Sequence, residues 1–207
     1  MSALETAVSE GVPTVDDMGR IVFDTAVSLD GFIADAEGSL AWLFAVAGGA
    51  DPDPDLLPSN AGVLVEGATT YEWVLAAEDV LAHPERWRQL YADTPTFVFT
   101  TRTLPTTAGA DVTFVSGAVA EALPRIRAAA GDRDIWVVGG GDLAGQFFDA
   151  GALDEIAVSI APVMLGSGAP LLPRRIESEH LSLRSADVAG PFARLVYDVV
   201  TPTRADG

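Results

Sequence analysis

Three short stretches carry residue types that could hold a phosphorylated ligand. Gly139-Gly140-Gly141 follows the apolar run 135–138 and precedes Asp142 and Leu143, where an amphipathic segment begins. Glycines remove Cβ atoms where backbone must approach a ligand closely. The N–H groups at a helix start, aided by the helix dipole, point at an anion such as a pyrophosphate. The same triplet could serve only a tight strand-to-helix turn. Gly67-Ala68-Thr69-Thr70 repeats the arrangement after the run 61–66, with two hydroxyls beside a second helix start, although threonine is also an ordinary helix cap. Thr100-Thr101-Arg102 closes a third run and offers two hydroxyls and a guanidinium that can fork onto a phosphate monoester, or a plain surface turn before Pro105.

Residues 21–29 read as a first strand, whose period of two places Val22, Asp24, Ala26 and Ser28 on one face and Ile21, Phe23, Thr25, Val27 and Leu29 on the other. The second face is core; the first is small and polar, suited to the wall of a cleft into which Asp24 would point. A glycine-punctuated loop follows to Trp42 and Leu43, then a proline-rich carboxylate cluster at 51–55 that reads as a solvated connection. Further strands are expected at 112–115 and 156–160 and a helix at 118–130. Late strands at 181–184 and 194–200 have no helix between them and should pair antiparallel. The class is α/β, with one domain over 20–202 behind a flexible leader over 1–19. Strand ends bearing glycine, threonine and arginine should meet at the carboxyl edge of the sheet, which argues for a nucleotide site.

Composition narrows the chemistry. The 207 residues carry a net charge of -18, which disfavours nucleic acid and acidic membranes as partners. No apolar run approaches a membrane span and no signal pattern or cysteine is present, so a cytoplasmic location is expected. All twelve basic residues are arginine, which excludes Schiff-base chemistry and the phosphate-gripping lysine of a P-loop. His83 and His180 are isolated, and no metal is expected. Gly139-x-Gly141-x-x-Ala144 also fits a variant Rossmann fingerprint, but it arrives late in the chain and lacks the acidic residue that should end a following strand.

Taken in order, Ser28-Leu29-Asp30-Gly31 with Ile33-Ala34, Gly67-x-Thr69-Thr70-Tyr71-Glu72, Thr100-Thr101-Arg102, Val137-Val138-Gly139-Gly140-Gly141 and the stretch from Ala150 to Gly168 resemble the dihydrofolate reductase-like superfamily. They are most similar to its branch containing the reductase domain of the bacterial riboflavin biosynthesis protein (the RibD C-terminal domain family). The resemblance implies a central, mostly parallel sheet flanked by helices with antiparallel C-terminal strands. It implies NADPH bound across Gly67, Thr69, Thr70 and the segment Gly139, Gly140, Gly141, Asp142, Leu143. Thr100, Thr101 and Arg102 would lie by the adenosine 2′-phosphate, and Ala26 and Ile33 by the nicotinamide. Members often carry arginine where Ala68 stands here, so selectivity for the phosphorylated cofactor rests on Arg102. Losing one charge-assisted contact costs about 1.5 to 3 kcal/mol.

The chemistry so implied is hydride transfer to a small C=O or C=N substrate, as in 5-amino-6-(5-phosphoribosylamino)uracil reduction. Asp24, or else Asp30, is the candidate proton donor, and Ser28 and Trp42 are candidate substrate contacts. True dihydrofolate reduction is disfavoured, because Ala45, Val46 and Ala47 occupy the region where that enzyme carries a carboxylate. A non-catalytic nucleotide-binding protein on the same fold remains a competing reading. A small-molecule substrate and a homodimer are the expected partners.

Overall fold

Alternation along the first apolar run produces one of the two central strands of the molecule. In β1 (Ile21–Ser28), Ile21, Phe23 and Val27 enter the main core as the period of two requires. The opposite face is not open along its length: Val22, Asp24 and Ser28 are buried as well. The computed structural model describes residues 19–48 and 58–200. The expected leader, apart from Gly19, and the carboxylate loop 51–55 lie outside the described residues.

After β1 come β2 (Phe32–Ala34) and α1 (Ala41–Phe44), both inside the stretch read as loop. β3 (Ala61–Gly67) runs directly into α2 (Ala68–Ala77). Next are α3 (Glu85–Tyr91), β4 (Thr96–Phe99), β5 (Val112–Val115) and α4 (Val119–Ala130). β6 (Asp134–Gly139), α5 (Gly141–Asp149) and β7 (Glu155–Ala161) follow. The chain then forms β8 (Ala169–Pro170) and the hairpin of β9 (Leu181–Ala189) and β10 (Phe192–Val199). The expected late strands are therefore present, and β9 is longer than anticipated.

Eight strands form one sheet in the order β5-β4-β3-β6-β1-β7-β10-β9, and β2 pairs with β8 in a small second sheet. All pairings from β5 across to β7 are parallel. β10 and β9 add on antiparallel, as two strands joined by a short turn must.

Core residues fall into two groups because strand side chains alternate. Phe97 of β4 joins Ile126 of α4 and Phe147 of α5, while its neighbour Val98 joins Tyr71 of α2 and Trp87 of α3. The two helix pairs thus cover opposite faces of the sheet. Tyr71 and Trp87 meet edge to face at 5.7 Å, a preferred geometry for rings. Beside α2 and α3, the rest of that face holds an open groove of about 480 Å³, lined by Val22, Asp24, Glu155, Arg184, Arg194 and Val196 among others.

Candidate functional site

Parallel pairing of β4, β3 and β6 sets three strand-to-helix or strand-to-loop junctions side by side. Gly67 stands opposite Phe99, and Glu66 opposite Gly139. With strands about 4.8 Å apart, Gly67, Thr100 and Gly140 therefore share one short stretch of the carboxyl edge. α2 starts at Ala68 and α5 at Gly141, and no side chain caps either start. Their first-turn N–H groups are the kind of donors that receive an anion.

The glycines have different tasks. A Cβ on Gly67 would meet nothing within 4 Å, so this residue faces open space beside the start of α2. Gly140 has a φ of 94°, which only glycine adopts freely. Gly139 and Gly141 are close-packing positions: a Cβ would stand 2.6 Å from Thr70 Oγ1 at the first and 2.4 Å from the carbonyl oxygens of Pro170 and Leu171 at the second. Thr70 thus locks α2 onto β6, while Thr69 and Thr101 are exposed. Thr100 Oγ1 accepts the Arg102 backbone N–H at 3.0 Å and shapes the turn. The Arg102 guanidinium lies over α2, with Nη1 3.0 Å and Nη2 2.6 Å from the two carboxylate oxygens of Glu72.

Two of the expected cofactor residues, Leu143 and Asp142, have side chains engaged within the chain, which leaves only their backbone N–H groups in the first turn of α5 facing the junction. Leu143 is 5% exposed and belongs to the main core, because the amphipathic face of α5 turns it inward with Phe147. Asp142 is drawn toward Gln146 and Arg174, at 2.9 and 3.0 Å, and these bonds in that order hold its carboxyl below the ordinary value.

At the carboxyl end of β1, Ala26 stands opposite Ser159 of β7, and Ile33 packs against the main core. Neither aspartate is placed as an available proton donor. Asp24 receives both arms of the Arg194 guanidinium, at 2.6 and 2.5 Å, and the same guanidinium reaches Ser159 Oγ at 3.1 Å. Burial raises the Asp24 carboxyl above its ordinary value, against the pull of Arg194. The bidentate geometry, which a carboxylate offers to a guanidinium fork, keeps the pair ionic at neutral pH. Asp30 accepts the Ser28 hydroxyl at 2.6 Å and the backbone N–H groups of Leu165 and Gly166 at 3.0 and 2.6 Å. Those bonds, led by the Ser28 hydroxyl, hold its pKa at about 2. It has no proton to give near neutrality and instead ties the β1–β2 turn to the loop 162–168.

Ser28, 1% exposed, donates to Asp30 and accepts the Phe32 N–H at 2.9 Å, so its hydroxyl is a loop brace rather than a substrate contact. Trp42 is half-buried on α1, with its Nε1–H buried and unpartnered. The stacked aromatic pair nearby is Phe44 on Trp73, at 5.8 Å.

Sequence reading missed Glu72, Arg194 and Glu66. The partners of Glu72 and Arg194 lie 30 and 170 residues away, and no local pattern announces such pairs. Glu66 was visible: strand phase places it with Leu64, one position before the glycine, and an acidic residue closing an apolar run is a signal. Its side chain is fully buried with neither oxygen partnered, and burial pushes its pKa up to about 8.

A mostly parallel sheet extended by an antiparallel hairpin, with glycine junctions at the carboxyl edge, is the dihydrofolate reductase-like architecture. The model of the RibD C-terminal domain matches residues 20–191, and the chain belongs to that family. It is 30% identical over 178 residues to the uncharacterized protein YwjB of Bacillus subtilis, covering 86% of this chain and 97% of that one. A putative riboflavin biosynthesis protein from Shewanella sp. PV-4 superposes with a TM-score of 0.65 at 25% identity, over 88% of this chain and 99% of that one. Dihydrofolate reductase from Enterococcus faecalis, solved with NADP(H), superposes with a TM-score of 0.56 at 18% identity, over 88% and 97% of the two chains. Among the described residues, no helix is long and apolar enough to cross a membrane.

Proposed function

We propose that this protein is an NADPH-dependent reductase that transfers hydride to a small C=O or C=N substrate, in the manner of the riboflavin-pathway reductases its family is named for. One observation carries the reading: two helix starts without side-chain caps and one arginine converge on adjacent strand ends of a parallel sheet. Two such starts fit a pyrophosphate, and the open space at Gly67 leaves room for it to reach the start of α2. Arg102, with Thr101 and Thr69 exposed nearby in the junctions, would meet the adenosine phosphate. Ala26, small and half-buried, would let the nicotinamide lie against β1, with Ile33 behind it. Bound there, the cofactor supplies the hydride. The chain contributes position and a shaped wall.

Asp24 and Arg194 are buried beneath this face two residues along β1 from Ala26, at the inner end of the groove, which opens toward the amino ends of β1, β3, β6 and β7. Their mutual neutralisation suits a polar, uncharged group beside the nicotinamide more than a charged one. With Asp24 paired and Asp30 ionised, solvent water delivers the proton in this mechanism.

The same observation favours a second reading, a nucleotide-binding protein without turnover. Titrating nicotinamide fluorescence with NADPH and NADH tests the site. Saturable NADPH binding that Arg102→Ala weakens tenfold or more supports it, and no saturable binding of either cofactor sinks both readings. Oxidation of NADPH in a screen of carbonyl and imine substrates, beginning with the phosphoribosylamino-pyrimidine, separates the enzyme from the binding protein.

A further inference from the structure

The three junctions, residues 67–72, 99–102 and 139–143, hold one cationic side chain, Arg102, and two anionic ones, Glu72 and Asp142. Asp142 is taken by Gln146 and Arg174. Arg102 presents its fork already filled, both carboxylate oxygens of Glu72 engaging Nη1 and Nη2 at 3.0 and 2.6 Å. This side-on, two-point contact is the one a phosphate monoester would make with the same guanidinium. Glu72 lies one helical turn beyond Ala68 and Thr69, so the pair is held over the uncapped start of α2. The two side chains are 55% and 42% exposed, and a solvated pair of this kind is weak enough to exchange.

We infer that Glu72 sets the cofactor selectivity of this protein: it competes with a 2′-phosphate for Arg102 and offers its own carboxylate as acceptor to the 2′-hydroxyl of an unphosphorylated cofactor. The inference rests on the nucleotide reading of the site. Its physical content is a single swap. When a 2′-phosphate arrives, Arg102 leaves Glu72 for the phosphate, and the displaced carboxylate remains close to a like charge. When a 2′-hydroxyl arrives, Arg102 stays where it is and Glu72 accepts the hydroxyl proton. Glu72 therefore penalises NADPH and assists NADH, leaving a modest preference between them.

The test is fluorescence titration of NADPH and NADH into the full-length protein, wild type, Glu72→Gln, Arg102→Ala and the double variant. Glu72→Gln should tighten NADPH about three- to fivefold, the equivalent of an exposed ion pair no longer to be broken, and leave NADH unchanged or weaker. In the Arg102→Ala background the same substitution should give a smaller gain for NADPH, since the fork it competes for is gone and only the like charge beside the phosphate is relieved. An unchanged NADPH-to-NADH ratio in Glu72→Gln, or a gain undiminished without Arg102, overturns the inference while leaving the cofactor site intact. Failure of every form to bind either cofactor overturns the nucleotide reading itself and the inference with it. Glu72→Ala, with matched thermal unfolding of all forms, ensures that a loss of binding is not a loss of fold.

Discussion

Both carboxyl oxygens of Glu66 are buried without a hydrogen-bond partner, and burial holds the pKa at about 8 against an ordinary 4.5. Between those values the folded chain keeps a proton that the unfolded chain has released. The contribution of Glu66 to stability therefore falls as pH rises through that window and levels off above it. A shift of this size corresponds to about 5 kcal/mol in full, of which roughly 3 kcal/mol falls between pH 6 and 9. Glu66→Met, similar in volume and with nothing to ionise, should be more stable than wild type. Its advantage in urea denaturation should widen by roughly 3 kcal/mol from pH 6 to pH 9; a gap independent of pH would mean that the carboxyl reaches solvent or a partner. The Asp24–Arg194 pair behaves differently, because each charge is compensated. Arg194→Met alone strands a buried carboxylate and should cost about 3 to 5 kcal/mol, whereas Asp24→Leu with Arg194→Met should recover most of it. Equal losses in the single and double variants, by thermal or urea unfolding, would show that packing rather than charge is at stake. At this scale the sequence was legible for residue type and strand face. Asp24 does lie on the predicted face of β1, but its partner sits on a strand 170 residues later, and no period within β1 could reveal it.

Junction glycines can be separated by what surrounds them. A Cβ on Gly141 would stand 2.4 Å from the carbonyl oxygens of Pro170 and Leu171, so a methyl group there must move backbone, not a side chain. Gly141→Ala should destabilise by about 3 kcal/mol and disturb the seating of β8 against the start of α5. Gly67 has an ordinary extended φ of -82° and open space in front of it. Gly67→Ala should cost no more than about 1 kcal/mol, as a weaker N-cap, yet put a methyl group at the uncapped start of α2. If the nucleotide reading holds, NADPH affinity drops about tenfold with unfolding nearly unchanged; loss of stability in Gly67→Ala without a binding effect would argue against the site. The junctions themselves were readable because each is a local pattern of a buried run, a glycine and a helix start. β2, α1 and α3 were not. At three, four and seven residues they are too short for periodicity to register, and β2 exists mainly because β8 pairs with it.

Strand order belongs to the whole molecule, and no part of the chain encodes it locally. That β10 would pair with β7, and so carry Arg194 to Asp24, depends on the completed sheet. Overall charge is the opposite case, fully visible in the sequence and acting everywhere at once. Thirty acidic residues face twelve arginines, giving -18. Among the described residues, ion pairs engage Arg20, Arg88, Arg102, Arg174, Arg175, Arg184 and Arg194, several of them with two acids, yet over the whole sequence the acidic residues still exceed the arginines by 18. Salt acts on both sides of this balance. It weakens the exposed pairs, each worth less than about 1 kcal/mol, and it screens the repulsion among the unbalanced carboxylates, which compaction brings within a Debye length of one another. The buried Asp24–Arg194 pair is largely shielded from either effect. With so large an excess of one sign, relief of repulsion should prevail. Raising NaCl from 0.05 to 1 M should stabilise the fold by roughly 1 kcal/mol and lift the thermal midpoint by about 2 to 4 °C. A midpoint that falls with salt would mean that the surface ion pairs around Arg20, Arg184 and Asp198 hold more of the stability than the excess charge removes.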